Sequence, residues 1–204
     1  MLEVLTGTGL AASAGLNAYI PLLTMGLLAR YTGLIDLPGG WEWLSNGWVI
    51  GILAVLLAVE VVADKVPVVD HFNDVVQTVV RPTAGGLAFG AGSASQTVTV
   101  TDPGSFFSSH QWVPIAAGVA IALCVHGVKA AARPIVNATT AGVGAPVAST
   151  AEDFSSVVLS FMAILVPILV LIGIGLLIFA AIMVMRRRRQ RRRIEGVNTG
   201  RLFG

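Results

Sequence analysis

The most constraining stretch of this chain is residues 157–185, twenty-nine consecutive positions without a charged side chain, followed at once by an arginine run beginning at Arg186. A helix needs roughly 20 apolar residues to cross a bilayer. This stretch would reach about 43 Å as one straight helix, so it must tilt or protrude, and Pro167 inside it predicts a kink. A basic cluster directly after such a run has the form of a stop-transfer sequence, which stays on the cytoplasmic side and attracts anionic headgroups.

Composition points the same way. Hydrophobic residues make up 55% of the chain, charged residues 12%, and mean hydropathy is +0.82. An ordinary soluble domain carries about 25% charged residues, and 204 residues with so few could not cover their own surface in water. The same apolar content excludes disorder. The single cysteine, Cys124, excludes an internal disulfide framework and a cysteine-cluster metal site. Residues 186–204 hold eight arginines and one acid, a net +7, whereas residues 1–185 hold five basic and ten acidic groups, a net −5. The positive excess is thus one terminal run, which fits lipid headgroups as its partner and fails the nucleic-acid pattern. No basic region precedes the first apolar stretch, so Ala12-Ser13-Ala14 is not taken as a signal-peptide cleavage site.

Besides the last run, Leu5–Leu28, Trp48–Ala63 and Trp112–Gly127 are apolar enough to span. Asp74–Gly92 and Asn137–Ser149 are weaker, built from Gly, Ala, Thr and Val around Pro82 and Pro146. Shifting the chain by 64 positions aligns residues 45–84 with 109–148 without a gap and gives 11 identities in 40. These include Trp48 with Trp112, Lys65 with Lys129, Asn73 with Asn137 and Pro82 with Pro146. Such a frame predicts a duplicated helical hairpin, an apolar helix followed by a polar corner and a small-residue helix. The expected fold is therefore all-α: a polytopic membrane bundle of about six transmembrane helices with two parallel hairpin repeats. Residues 1–185 form the membrane domain and 186–204 a basic cytoplasmic tail. Six crossings place both termini and the corners with Lys65, Lys129 and Arg133 inside. Residues 32–47 and 93–111, which lack Lys and Arg, then lie outside, and Arg30 is the one exception. Close approach through Gly and Ala, as at Gly86-x-x-x-Gly90, holds such helices together in lipid and favours a homo-oligomer as well.

Charges at depth need a partner or water. Arg81 lies about 12 Å beyond Asn73, and Glu60 about 8 Å before Lys65, if both are measured along helices from the same corner. An ion pair between them is expected. Their repeat equivalents are Cys124 and Ala145, so the buried charges belong to one hairpin only, an asymmetry that a pure scaffold does not need. Asn17 in the first span, four residues before Pro21, could join them or act as interhelical glue. Asn73 and Asn137 read as helix N-caps, Lys65 and Lys129 as snorkelling anchors or a cytoplasmic mouth, and His126 as a packing residue. Asp64, Asp70, Asn73 and Asp74 faintly match the Asp-rich helix ends of magnesium-dependent membrane prenyltransferases. The matching corner, Arg133 to Asn137, has no acid, so that enzyme class is the remote alternative and no catalytic residue, metal or cofactor is expected.

Gly15-Leu-Asn-Ala-Tyr-Ile-Pro21, Ala63-Asp-Lys-Val-Pro-Val-Val-Asp70 and Arg81-Pro82 together resemble a bacterial membrane family, domain of unknown function 4126, over roughly residues 9–150. The resemblance implies a multi-pass inner-membrane protein with motif residues Asn17, Asp64, Lys65, Asp70 and Arg81. It brings no activity with it, and the last helix and arginine tail fall outside the matched motifs. The expected function is a small channel or transporter. In it Asn17, Glu60 and Arg81 line a polar site, Lys65 and Lys129 sit at its mouth, and Asn73, Asn137, Asp64 and Asp70 lie nearby. The alternative is a non-transporting scaffold or lipid-binding protein assembled through its tail and small-residue faces.

Overall fold

The computed structural model describes residues 2–37, 39–65, 67–93, 112–140 and 144–170, with isolated positions at 172, 175, 176, 178, 179, 182, 183 and 186. Every regular element among them is helical: α1 Leu2–Leu16, α2 Tyr19–Tyr31, a 3-10 segment Gly39–Ser45, α3 Gly47–Ala63, α4 Pro67–Gly92, α5 Trp112–Thr140, α6 Gly144–Leu165 and a 3-10 turn Pro167–Leu169. The fold is all-α, as expected. Helices α5 and α6 are long and apolar enough to cross a membrane, and a third span results if the bent pair Gly39–Ser45 and α3 counts as one.

Burial is inverted relative to a soluble protein. On α3, Trp48, Ile52, Val55, Val59 and Val62 are exposed, while Leu53 and Glu60 are its buried residues. The interior holds Ser13, Asn17, Gln77, Arg81, His126, Lys129, Ser149, Ser156 and Ser160. Such an apolar exterior over a polar interior suits a hydrocarbon surround.

Helix α1 is the central element, and small residues let the others close on it. A Cβ added to Gly7 would sit 3.1 Å from Phe89, and one on Gly15 2.7 Å from the Ala122 carbonyl. Gly9 faces Ala163, and Ser13 bonds Ser156 and Ser160. So α1 runs antiparallel to α4 and α6 and parallel to α5. Between α4 and α5 the backbones nearly touch: a Cβ on Gly118 would run into the Gly85 carbonyl, and one on Gly86 would lie 3.1 Å from the Ile115 carbonyl. Gly86 and Gly90 do serve close packing, Gly90 against Trp41.

Four expectations are corrected by this packing. First, Leu5–Leu28 is not one span but a re-entrant helical hairpin. The start of α1 lies by the end of α4 (Thr6 and Leu10 near Gly92), and Trp41 lies there too, on Gly90. Gly26 of α2 backs onto the Leu44 carbonyl, and Arg30 bonds the Ser45 carbonyl at 2.9 Å. Both open ends of the hairpin therefore sit at the Trp41 end of the bundle, and the tip at Asn17 lies about 22 Å deeper. The reversal is built by Asn17: its backbone N–H closes α1 on the Ser13 carbonyl, and its Oδ1 accepts the Tyr19 and Ile20 N–H groups that open α2. Pro21 then falls in the first turn of α2, where its missing N–H costs nothing.

Second, the repeated hairpin does not recur. The first unit turns between α3 and α4, where Pro67 opens the new helix, but α5 continues through Lys129, Arg133 and Pro134 to Thr140. In the 64-residue frame Ala131 stands where Pro67 does, within a run of three alanines that favours helix. Asn137 is thus in the last turns of α5 and Asn73 is inside α4, so neither is an N-cap. Third, 137–149 straddles the α5–α6 hairpin and is no crossing. Glu152 lies 3.2 Å from Arg133, whereas a crossing between them would put them on opposite faces. Six separate crossings are therefore not formed, and the start of α1 lies at the opposite end from Lys65 and Lys129.

Fourth, Val157–Met185 is not one kinked span. Helix α6 stops at Leu165 before the Pro167 turn, and Ile172 and Leu176 line a cavity with Leu16, Phe154, Val158 and Met162. On one straight helix Phe154 and Leu176 would be about 33 Å apart, so the chain returns alongside α6. The arginine tail beyond Arg186, and the loop 94–111, lie outside the described residues.

Candidate functional site: a buried ion network at the hairpin tip

The polar side chains of the interior follow helical spacing, so each helix offers one inward stripe. On α5 the stripe is His126, Lys129 and Arg133; on α6 it is Ser149, Glu152, Asp153, Ser156 and Ser160; on α4 it is Asp74, Gln77 and Arg81. Glu60 comes from α3 and Asp64 caps its C-terminus, its N–H bonding the Glu60 carbonyl. These stripes meet at the level of Asn17.

Arg81, fully buried, donates from Nη2 to Glu60 Oε1 at 2.7 Å, and Nη1 lies 3.3 Å from His126 Nδ1. The His126 Nε2 is 3.2 Å from the Thr78 hydroxyl. Asp64 stands at the centre. Its Oδ2 is 3.2 Å from Arg133 Nη2, 3.5 Å from Lys129 Nζ, 3.9 Å from Arg81 Nη2 and 3.4 Å from the Ser149 hydroxyl, while Oδ1 accepts Asn73 Nδ2 at 2.7 Å. Lys129 also reaches Glu152 at 2.9 Å and the Leu16 carbonyl at 3.2 Å, and Arg133 reaches Glu152 at 3.2 Å. Asn17 Nδ2 donates to Asp153 Oδ1 at 2.9 Å. Burial alone would push the Asp64 carboxyl up, but the Lys129, Arg133 and Arg81 charges outweigh it and hold this group, just beyond the end of α3, below the usual carboxylate range.

The groups in direct contact are three cations (Arg81, Lys129, Arg133) and three carboxylates (Glu60, Asp64, Glu152), a neutral set. Hydrogen bonding is incomplete: Glu60 Oε2, Gln77 Oε1 and Arg81 Nε are buried without a partner in the structure. Among the described residues no group of three or more His, Cys, Asp or Glu is placed to hold a metal ion.

Of the residues expected at the site, Glu60, Asp64, Asn73, Arg81 and Lys129 come together. Asn17 sits at the same level but bonds Asp153 rather than the Glu60–Arg81 pair. Lys65 stays apart: it is exposed and bonds the Val61 carbonyl of its own helix at 3.0 Å. Lys129 is no mouth residue, being 4% exposed inside the network. The side chains of Asp70 and Asn137 lie outside the described set. The network also holds Arg133, Glu152 and Ser149, which sequence reasoning did not assign to the site. Their signal was present in the i, i+3, i+7 spacing of His126, Lys129 and Arg133 and in the i, i+3 spacing of Ser149 and Glu152.

The profile of one family, Domain of unknown function (DUF4126), matches residues 4–187. This chain belongs to that family. The DUF4126 match runs past the N-terminal motifs, through the final apolar run as far as Arg187, so the returning segment at Ile172 and Leu176 belongs to the family region and is not peculiar to this chain. No curated protein and no solved structure matches the chain. Among the DUF4126 motif residues, Asp64 and Arg81 lie in the ion network, Asn17 builds the hairpin tip beside it, and Lys65 remains outside.

Proposed function

We propose that this protein is a membrane-embedded transporter of a small charged solute, with its internal path closed by the ion network. One observation carries this reading: the tip of the re-entrant hairpin α1–α2 ends on the network, with the Leu16 carbonyl at the end of α1 accepting from Lys129. Broken helices at membrane depth are tolerated where they are buried in protein or line a water path, and in transporters such helix ends bind the solute and its coupling ion. Partnerless polar atoms on Glu60, Gln77 and Arg81 add capacity for water, a proton or a solute group. The Trp41 end carries Glu3, Glu42 and Arg30, whereas the network end carries Lys65, Lys129 and Arg133. By the positive-inside rule the network end is cytoplasmic and the start of α1 external, in a bacterial inner membrane whose anionic lipids meet the arginine tail.

The test is reconstitution. Proteoliposomes on a solid-supported membrane are exposed to jumps of sodium, chloride, acetate or pH. The expected result is a current with at least one of these that Glu60→Gln or Arg81→Ala changes while insertion is retained. Variants that insert, fold and carry wild-type current overturn the assignment of the site; absence of any current from wild-type protein overturns transport. A second reading, a non-transporting scaffold, is favoured by the contact of each network cation with a carboxylate. It predicts that removing residues 186–204 impairs assembly and that Glu60 and Arg81 changes are silent once folding is preserved.

A further inference from the structure

The arrangement around Asp64 is that of an anion-binding pocket occupied by the protein's own side chain. Five groups from three helices converge on two carboxylate oxygens: Asn73 and Arg81 of α4, Lys129 and Arg133 of α5, and Ser149 of α6. All five are hydrogen-bond donors or cations. Asp64 itself belongs to none of these helices; it sits at the start of the short linker 64–66 between α3 and α4, 1% exposed.

Charge balance gives the class of anion. If the Asp64 carboxylate is taken away, Arg81 keeps Glu60, and Lys129 and Arg133 share Glu152. Three cations then face two carboxylates, an excess of one positive charge in a buried space, where uncompensated charge is costly. A monoanion restores neutrality and a dianion overshoots it. A planar carboxylate also reproduces the two-oxygen geometry that Arg133 and Asn73 already hold, which a spherical halide cannot.

We propose that the Asn73, Arg81, Lys129, Arg133 and Ser149 pocket binds a small monocarboxylate, and that Asp64 is the internal surrogate which occupies it in this closed state. The solute displaces Asp64 as the linker 64–66 withdraws. The displacement step rests on the transport reading and names its solute class, while the pocket is tested by binding alone.

The experiment uses the full chain in detergent and follows thermal unfolding of wild type, Asp64→Ala and Asp64→Asn against formate, acetate, phosphate and chloride at matched ionic strength. Removal of the carboxylate in Asp64→Ala leaves a hole the size of formate. The expected result is a formate- or acetate-dependent rise in its unfolding midpoint, about 4 °C at tenfold excess over Kd, with no such rise in wild type or Asp64→Asn. Adding Arg133→Gln to Asp64→Ala abolishes the response. Equal responses to chloride and formate, or none, overturn the proposal. Asp64→Ser is judged by the same criterion if Asp64→Ala does not fold, and failure of both to fold in saturating formate also overturns it. Carboxylate binding without flux leaves the pocket standing and removes only transport.

Discussion

Breaking the Glu60–Arg81 pair tests whether the network is a set of buried charges that need one another. The two groups are 1% and 0% exposed, with a 2.7 Å contact. At an effective dielectric of about 20 their attraction is on the order of 6 kcal/mol, an upper figure because both were desolvated to form it. Arg81→Met leaves Glu60 buried without its cation and removes one of the three positive charges around Asp64. The expected loss is about 3–5 kcal/mol, a fall in midpoint of roughly 6–20 °C for a chain of this size. Glu60→Leu alone should cost a similar amount, by stranding the guanidinium. The double variant Glu60→Leu/Arg81→Met removes both charges together, so it should recover most of the loss and give a coupling energy of about 2 kcal/mol or more. Reversible unfolding in bicelles or mild detergent, measured for all four proteins, completes the cycle. Single variants within about 1 kcal/mol of wild type, or a double variant as unstable as the sum of the singles, would falsify the claim that these charges are dry and mutually dependent.

Asn17→Ala removes the acceptor for the first two N–H groups of α2 and the bond to Asp153; it should cost about 1–2 kcal/mol and speed hydrogen exchange at Tyr19 and Ile20, and unchanged exchange there would rule out the cap. Gly85→Val puts a branched side chain where a Cβ already collides with Ala122 and the Gly118 carbonyl; α4 and α5 must separate, and a variant that stays within about 1 kcal/mol of wild type would contradict the close packing. Because Asp64 is held below its model value of 3.8 when folded, its contribution is present above that value and is lost as pH falls through the depressed one. Stability should therefore decline below about pH 4, and Asp64→Asn, measured by urea unfolding against pH, should flatten that limb. With Cys124 replaced, cysteines at Thr6 and Lys65 should label with an impermeant maleimide from opposite sides of sealed vesicles; labelling from one side would reject the re-entrant path.

Much of the architecture was legible in one dimension because hydrocarbon imposes local rules. Apolar runs, the excess of arginine at one terminus and the scarcity of other charge identify helices that suit a membrane. The cost of burying charge made Glu60 and Arg81 partners before any coordinates. The Gly86-x-x-x-Gly90 spacing identified a helix meant for close contact. Helical periodicity also carried the stripes of α5 and α6, although these were read as corner and loop.

Chain direction was decided only in three dimensions. Apolar length is the same whether a segment crosses, returns or dips, so Leu5–Leu28 and Val157–Met185 each looked like one span. Asn17 turns the first back through two side-chain bonds to its own next turn, and the second turns back after the 3-10 segment at Pro167. The aligned Lys65 and Lys129 separate for a related reason: Pro67 ends one helix path where Ala131 lets the other continue, leaving one lysine exposed and the other sealed among carboxylates. Local rules determine which residues form helices and which charges need partners. Which partner each receives depends on contacts between residues as distant as Asp64 and Ser149, an energy that no short window of sequence contains.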